Sequence, residues 1–125
     1  MIYGIGCDIA KVSRFEKWVN NPEMLERFFN REEFSDKKNP KLLCEHYAAR
    51  FAAKEAFSKA LGTGLAFDLR DVYVVNNEDG KPSLNFSREV SDLLYKRCGK
   101  NSVFLSLSHE KEYALASVVI EKIES

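Results

Sequence analysis

The sequence predicts an α+β fold, with helices packed on an antiparallel sheet around one long central helix. Three observations carry that prediction. Residues 41–61 hold an apolar stripe of Leu43, Tyr47, Phe51 and Ala52, and Ala48, Ala49, Ala53, Ala56 and Ala60 raise the helix propensity. Residues 72–75 and 83–86 read as strands around the turn 76–82, whose Asp79-Gly80 pair is a strong hairpin signal. Residues 102–108 alternate between apolar and polar, and the tight turn His109-Glu110-Lys111-Glu112 leads to a last strand over 113–120.

The remaining elements follow in chain order. Residues 2–8 are apolar, with β-branched and aromatic members, and predict a short buried strand. From Asp8 or Ile9 the spacing of Val12, Phe15 and Val19 predicts a helix, with Lys11, Arg14 and Lys17 on another face. Asp8 is thereby placed where strand gives way to helix, a position that also suits a plain N-cap. Asn20-Asn21-Pro22 stops that helix. Two short helical pieces follow, 23–29 and 31–37, the second opened by Asn30. Pro40 is placed to open the long helix, and Gly62-Thr63-Gly64 to end it. Residues 87–97 predict a helix capped by Ser87, with Val90, Leu93 and Leu94 inward. No repeat or linker interrupts the chain, so one domain over residues 1–125 is expected.

Composition narrows the function classes. A chain of 125 residues can build its own core without staples. Lys+Arg and Asp+Glu both number 19, so no global field draws the protein to nucleic acid or membrane. Cys7, Cys44 and Cys98 are odd in number and form no Cys-x-x-Cys pair. They suggest neither a disulfide framework nor a zinc site, and read as small buried hydrophobes in a reducing compartment. The N-terminus lacks a basic n-region and no apolar run reaches membrane-spanning length, so a cytoplasmic location is expected.

Several residues invite chemistry. Gly4-x-Gly6 lacks the third glycine of a dinucleotide fingerprint, because Ile9 stands there, and reads instead as a close backbone approach. Phe51, Glu55 and Lys59 share one helix face, and Arg50, Lys54 and Ser58 a neighbouring one. Glu55 and Lys59 suit an exposed i,i+4 ion pair worth roughly 0.3–0.5 kcal/mol. Their alanine and phenylalanine neighbours favour a covered face, where Glu55 and Asp8 together suit a hard cation and its phosphate ligands. His109 reads either as a turn histidine or as a phosphate donor or proton-transfer group. His46 reads as a surface residue. The basic stripe of Lys11, Arg14 and Lys17 is either a solvated face or a docking site for an acidic helical partner, with Trp18 either an anchor or core. There is no Walker-type glycine-lysine loop.

Four motifs, in order along the chain, carry a resemblance. They are Gly4-Ile5-Gly6-Cys7-Asp8-Ile9; the run from Arg50 to Ala60 followed by Gly62-Thr63-Gly64; Asp79-Gly80-Lys81-Pro82; and Ser106-Leu107-Ser108-His109. Together they resemble the holo-[acyl-carrier-protein] synthases, the short 4′-phosphopantetheinyl transferases. The resemblance implies that family's fold and its activity: transfer of 4′-phosphopantetheine from coenzyme A to a serine of apo-acyl carrier protein, releasing adenosine 3′,5′-bisphosphate, in support of fatty acid biosynthesis. It implies a homotrimer with active sites between subunits. It further implies that Asp8 and Glu55 hold magnesium and that Lys59 and His109 lie near the coenzyme A phosphates, the four forming the catalytic set. Arg50 and Gly62-Thr63-Gly64 match the nucleotide-binding region, and Gly80, Lys81 and Pro82 a turn near the adenosine. Arg14 matches a carrier-protein contact, with Lys11 and Trp18 beside it. Cys7 stands where an aliphatic residue is common and reads as core. Residues 22–42 match less clearly. Two rival classes predict other behaviour: a binding module for coenzyme A or carrier protein would release no bisphosphate, and another phosphoryl-transfer enzyme would need no carrier protein.

Overall fold

Strand β1 (Ile2–Lys11) lies directly on the long helix α2 (Pro40–Leu61) in the computed structural model, which describes residues 1–124. Ser125, the last residue of the expected domain, lies outside the described residues. The contact is backbone against backbone. A Cβ on Gly6 would overlap the Ala56 carbonyl oxygen, and one on Gly4 the Ala60 carbonyl oxygen. Glycine on the strand and alanine on the helix therefore set the distance between the two layers.

The main sheet has strand order β1-β5-β4, with β4 spanning Asn101–His109 and β5 spanning Tyr113–Lys122. Both pairings are antiparallel. Along β5, Ala114, Ala116, Val118 and Ile120 are buried toward α2, and the residues between them face away. A separate two-stranded sheet, β2 (Val72–Asn76) with β3 (Pro82–Phe86), holds the expected hairpin. Its turn is organised by Asn77, whose side-chain oxygen accepts from the Asp79 and Lys81 amides. Helix α1 (Pro22–Phe28) is capped by Asn21, and α3 (Arg88–Cys98) by Ser87, whose hydroxyl accepts from the Val90 amide. α2 ends at Gly62 in a left-handed conformation, φ +82°.

The structure corrects the reading after Asp8. β1 runs on to Lys11, paired with Tyr113, so Asp8 is an interior strand residue opposite Ala116 rather than a helix cap. The sheet ladder claims the backbone groups that a helix would have used. Val12 and Phe15 are buried as expected, but in a single 3₁₀ turn, Val12–Phe15. The basic stripe is consequently not one helix face: Lys11 closes a strand and Arg14 lies in the turn. The expected helix over 31–37 shrinks to a 3₁₀ turn, Arg31–Glu33, closed by a reciprocal capping box between Asn30 and Glu33. A further 3₁₀ turn, Leu69–Asp71, has no counterpart in the sequence reading. Cys44 and Cys98 are buried, but Cys7 is exposed on the outer face of β1. Among the described residues, no helix is long and apolar enough to cross a membrane.

Candidate active site

From Gly4 onward the even-numbered residues of β1 face α2, and Asp8 follows Gly4 and Gly6 on that face. Gly4 abuts Ala60 and Gly6 abuts Ala56, so strand and helix run in opposite directions. Two strand residues advance about 6.8 Å and four helix residues about 6 Å, which brings Asp8 level with the turn of α2 that bears Glu55. The glycine spacing thus delivers one carboxylate to the other.

The electrostatics agree with that proximity. Burial raises the Glu55 carboxyl above its ordinary value and the Asp8 charge raises it further, while Lys59 and Arg14 oppose both. Lys59 Nζ donates to Asp8 Oδ1 at 3.0 Å and to the Cys7 carbonyl at 3.1 Å. The simple Glu55–Lys59 pair is therefore replaced by a reach across the layer boundary: the ion-pair partner of Lys59 is Asp8. Two carboxylates with repulsion left over, and an ammonium with half of its side chain exposed, suit a cation bound together with an anion. No third acidic, histidine or cysteine ligand joins them among the described residues. Two oxygen donors, with the other positions left to water and phosphate, is the magnesium habit.

A second group gathers one to three turns back along α2. Arg50, His46 and Glu45 line a cavity of about 370 Å³ together with Lys37, Asn76 and His109. The Arg50 Nε is buried without a partner. His109, the last residue of β4, lies beyond β5 from β1, and its Nδ1 stands 3.0 Å from Glu45 Oε1. Arg50 lies five residues before Glu55, about 7.5 Å along the helix axis. Asp8, Glu55 and Lys59 thus form one cluster, and Arg50 and His109 a neighbouring one.

The other expected site residues lie around these clusters. Gly62-Thr63-Gly64 caps α2 one turn past Lys59, with the Thr63 hydroxyl donating to the Gly64 carbonyl at 3.0 Å. Gly80 and Lys81 sit at the exposed tip of the hairpin and Pro82 begins β3. The hairpin meets the second cluster through Asn76. Lys11 and Arg14 are exposed. The Arg14 guanidinium lies 5.0 Å from the Phe51 ring centroid and 5.8 Å from that of Trp18. Trp18 is half-buried and stacks on Phe28 at 5.2 Å.

Four residues beside the site escaped the sequence reading, Glu45 at the His109 ring among them. Glu33, read within a charged helical piece, is fully buried against Lys54, which was read as part of a charged helix face. The Asn30-x-x-Glu33 spacing of a capping box was the available signal for Glu33, and the apolar neighbours of Lys54 the signal for its burial. His46 is half-buried rather than a plain surface residue. Its Nε2 donates to the Glu33 carbonyl at 2.6 Å and its ring meets the Tyr47 face edge-on. Burial, with Arg50 next, lowers its pKa to about 4. The neutral ring belongs to the fold, so its contribution is complete above about pH 6.5 and is lost as pH falls toward 4. Between pH 7.5 and 5.5 the wild-type protein should lose on the order of 1 kcal/mol more stability than His46→Gln in urea unfolding. Equal losses would contradict a half-buried, neutral His46.

Comparison with known proteins shows the family. Residues 4–118 match the family model of the 4′-phosphopantetheinyl transferase superfamily. The holo-[acyl-carrier-protein] synthase of Treponema denticola is 49% identical over 128 aligned positions, which cover 97% of this chain and 99% of that one. The crystal structure of a holo-(acyl-carrier-protein) synthase from Bacillus anthracis, in complex with CoA (3′,5′-ADP), is 40% identical. It superposes with a TM-score of 0.81 over 98% of this chain and 99% of that one. The Neisseria meningitidis holo-[acyl-carrier-protein] synthase superposes with a TM-score of 0.87 at 36% identity, over 98% and 100% of the two chains. The chain belongs to the 4′-phosphopantetheinyl transferase superfamily and, within it, to the holo-[acyl-carrier-protein] synthase enzymes.

Proposed function

We propose that this enzyme transfers 4′-phosphopantetheine from coenzyme A to a serine of apo-acyl carrier protein, with magnesium, in the cytoplasm, in support of fatty acid biosynthesis. The observation that carries the reading is the meeting of Asp8, Glu55 and Lys59 across the glycine-spaced contact of β1 and α2. The serine oxygen bonds to the phosphorus that bears the pantetheine arm. The bond from that phosphorus to the bridging oxygen breaks, adenosine 3′,5′-bisphosphate leaves, and the serine gives up its proton.

Asp8 and Glu55 are the residues that would hold magnesium. When bound, the ion supplies charge neutralisation on the pyrophosphate. Lys59 offers an ammonium to the phosphates from a side chain half open to solvent. Arg50 and His109 line the neighbouring cavity for the nucleotide end of coenzyme A. The loop at Gly62-Thr63-Gly64 and the turn at Gly80, Lys81 and Pro82 flank that path. The test is release of adenosine 3′,5′-bisphosphate, followed by chromatography. Release that requires both the carrier and magnesium supports the reading; release without carrier favours a simple phosphoryl-transfer enzyme.

The exposed stripe of Lys11 and Arg14, with Trp18 behind it, is our docking surface for the acidic carrier. Arg14→Ala should weaken carrier binding about tenfold and flatten its dependence on salt. An unchanged salt slope places docking elsewhere. A homotrimer is part of the same proposal, supported by the outer face of the main sheet. There Ile5, Ile9, Phe104 and Leu115 are 68%, 61%, 54% and 39% exposed, an apolar surface that favours cover. A solution mass near that of one chain, by sedimentation equilibrium, would remove the trimer from the account.

A further inference from the structure

We infer that Glu45 is a positioning residue for His109: its carboxylate fixes a proton on Nδ1, leaving Nε2 as the ring nitrogen that serves the anionic ligand. The inference rests on the proposed reading for its ligand, coenzyme A, but on geometry alone for the proton.

Glu45 Oε1 and His109 Nδ1 are 3.0 Å apart. An ionised carboxylate only accepts hydrogen bonds, so Nδ1 is the protonated nitrogen whether the ring is neutral or charged. The Glu45 side chain is 17% exposed and that of His109 48% exposed, so the carboxylate is the fixed member and the ring the accessible one. The pair joins α2 to the end of β4, two elements far apart in the chain, and both residues line the 370 Å³ cavity. A histidine held this way by a carboxylate works through its other nitrogen. In the neutral ring Nε2 accepts; in a charged ring it donates to an anion.

The charged groups around the pair are mostly cationic. Lys37 comes from the segment after Glu33 and Arg50 from α2, where His46 is neutral; Asp36 is the other acid at this cavity. Lys41 and Lys111, with the acid Glu16, line the adjoining cavity that Glu45 also borders. A negative charge at such a rim should, by Coulomb repulsion alone, weaken binding of a phosphate-rich ligand. Glu45 as a proton holder predicts the opposite sign, because losing it frees His109 to turn away or to carry its proton on the wrong nitrogen.

The sign makes the test decisive. Coenzyme A binding is measured by calorimetry for wild type, Glu45→Gln, His109→Gln and the double variant, and nitrogen-15 spectra report the His109 tautomer at a pH where the ring is neutral. Glu45→Gln keeps the shape, but its amide can serve either tautomer. It should weaken coenzyme A binding about tenfold in the wild-type background. In the His109→Gln background the same change should be neutral or strengthening. Wild-type His109 should carry its proton on Nδ1, and Glu45→Gln should shift the population toward Nε2. Equal or tighter binding by the single variant overturns the inference, as does a wild-type ring protonated on Nε2. Failure of wild-type protein to bind coenzyme A would instead count against the proposed function, and the tautomer would then decide the role of Glu45 alone.

Discussion

Asp8→Ala should lower the transfer rate by about three orders of magnitude or more, while the protein stays folded. The size follows from what the residue does. Asp8 supplies one of two carboxylates at the cluster and is the ion-pair partner of Lys59. Its loss leaves Glu55 as the sole acidic member, with a carboxyl no longer raised by a neighbouring charge. The fold should tolerate the change because position 8 lies on a strand between Gly6 and Ala10, opposite Ala116, where alanine fits the packing. Initial rates at saturating coenzyme A, beside a thermal melt, separate the two effects. A folded Asp8→Ala protein with near-normal rate would remove the carboxylate pair from the mechanism.

The largest effect on stability should come from Lys54→Ala, a loss of about 3–5 kcal/mol. Lys54 and Glu33 are fully buried, and the ammonium donates to Glu33 at 2.5 Å, to the Leu69 carbonyl at 2.9 Å and to the Val72 carbonyl at 2.6 Å. Glu33 in turn accepts from the Asn30 and Val74 amides. Burial lowers the Lys54 pKa and Glu33 pulls it back up. Removing the lysine strands a carboxylate and two carbonyls in the interior. Swapping both residues for apolar ones, a change that is often neutral for a buried ion pair, should not rescue this protein. The pair also satisfies four backbone groups, each worth about 1–3 kcal/mol when left unpaired. Urea unfolding should therefore place Glu33→Leu/Lys54→Met no higher than Lys54→Ala. A double variant as stable as wild type would show that the pair itself, not its backbone partners, carries the cost.

The sequence made periodic and turn-bounded elements legible, because local chemistry decides them. The long helix, the Asp79-Gly80 hairpin and the two closing strands stand where their patterns put them, within two residues at each end. The stretch after Asp8 misled for a physical reason. Val12, Phe15 and Val19 have helical spacing, but pairing of β1 with β5, more than a hundred residues away, outcompetes a local helix. The same long-range contact hid how Asp8 reaches Glu55. Gly4 and Gly6 announced a close approach, yet only the fold names Ala56 and Ala60 as the surface approached. Glu33, Lys54, Glu45 and His46 were harder still. A polar or charged side chain looks solvated until its partner is known, and these partners lie on other elements. Cys7 shows the converse error, since an apolar-looking strand position turned out to be on the open face of the sheet.

The most direct test of the account is the intact mass of an apo-acyl carrier protein after incubation with this enzyme, coenzyme A and magnesium. The expected result is a gain of one phosphopantetheine group that requires magnesium and the carrier serine, and that disappears with Asp8→Ala. An unchanged carrier mass with folded enzyme, across several carriers, would contradict the account and leave a protein that binds coenzyme A or carrier without transferring anything between them.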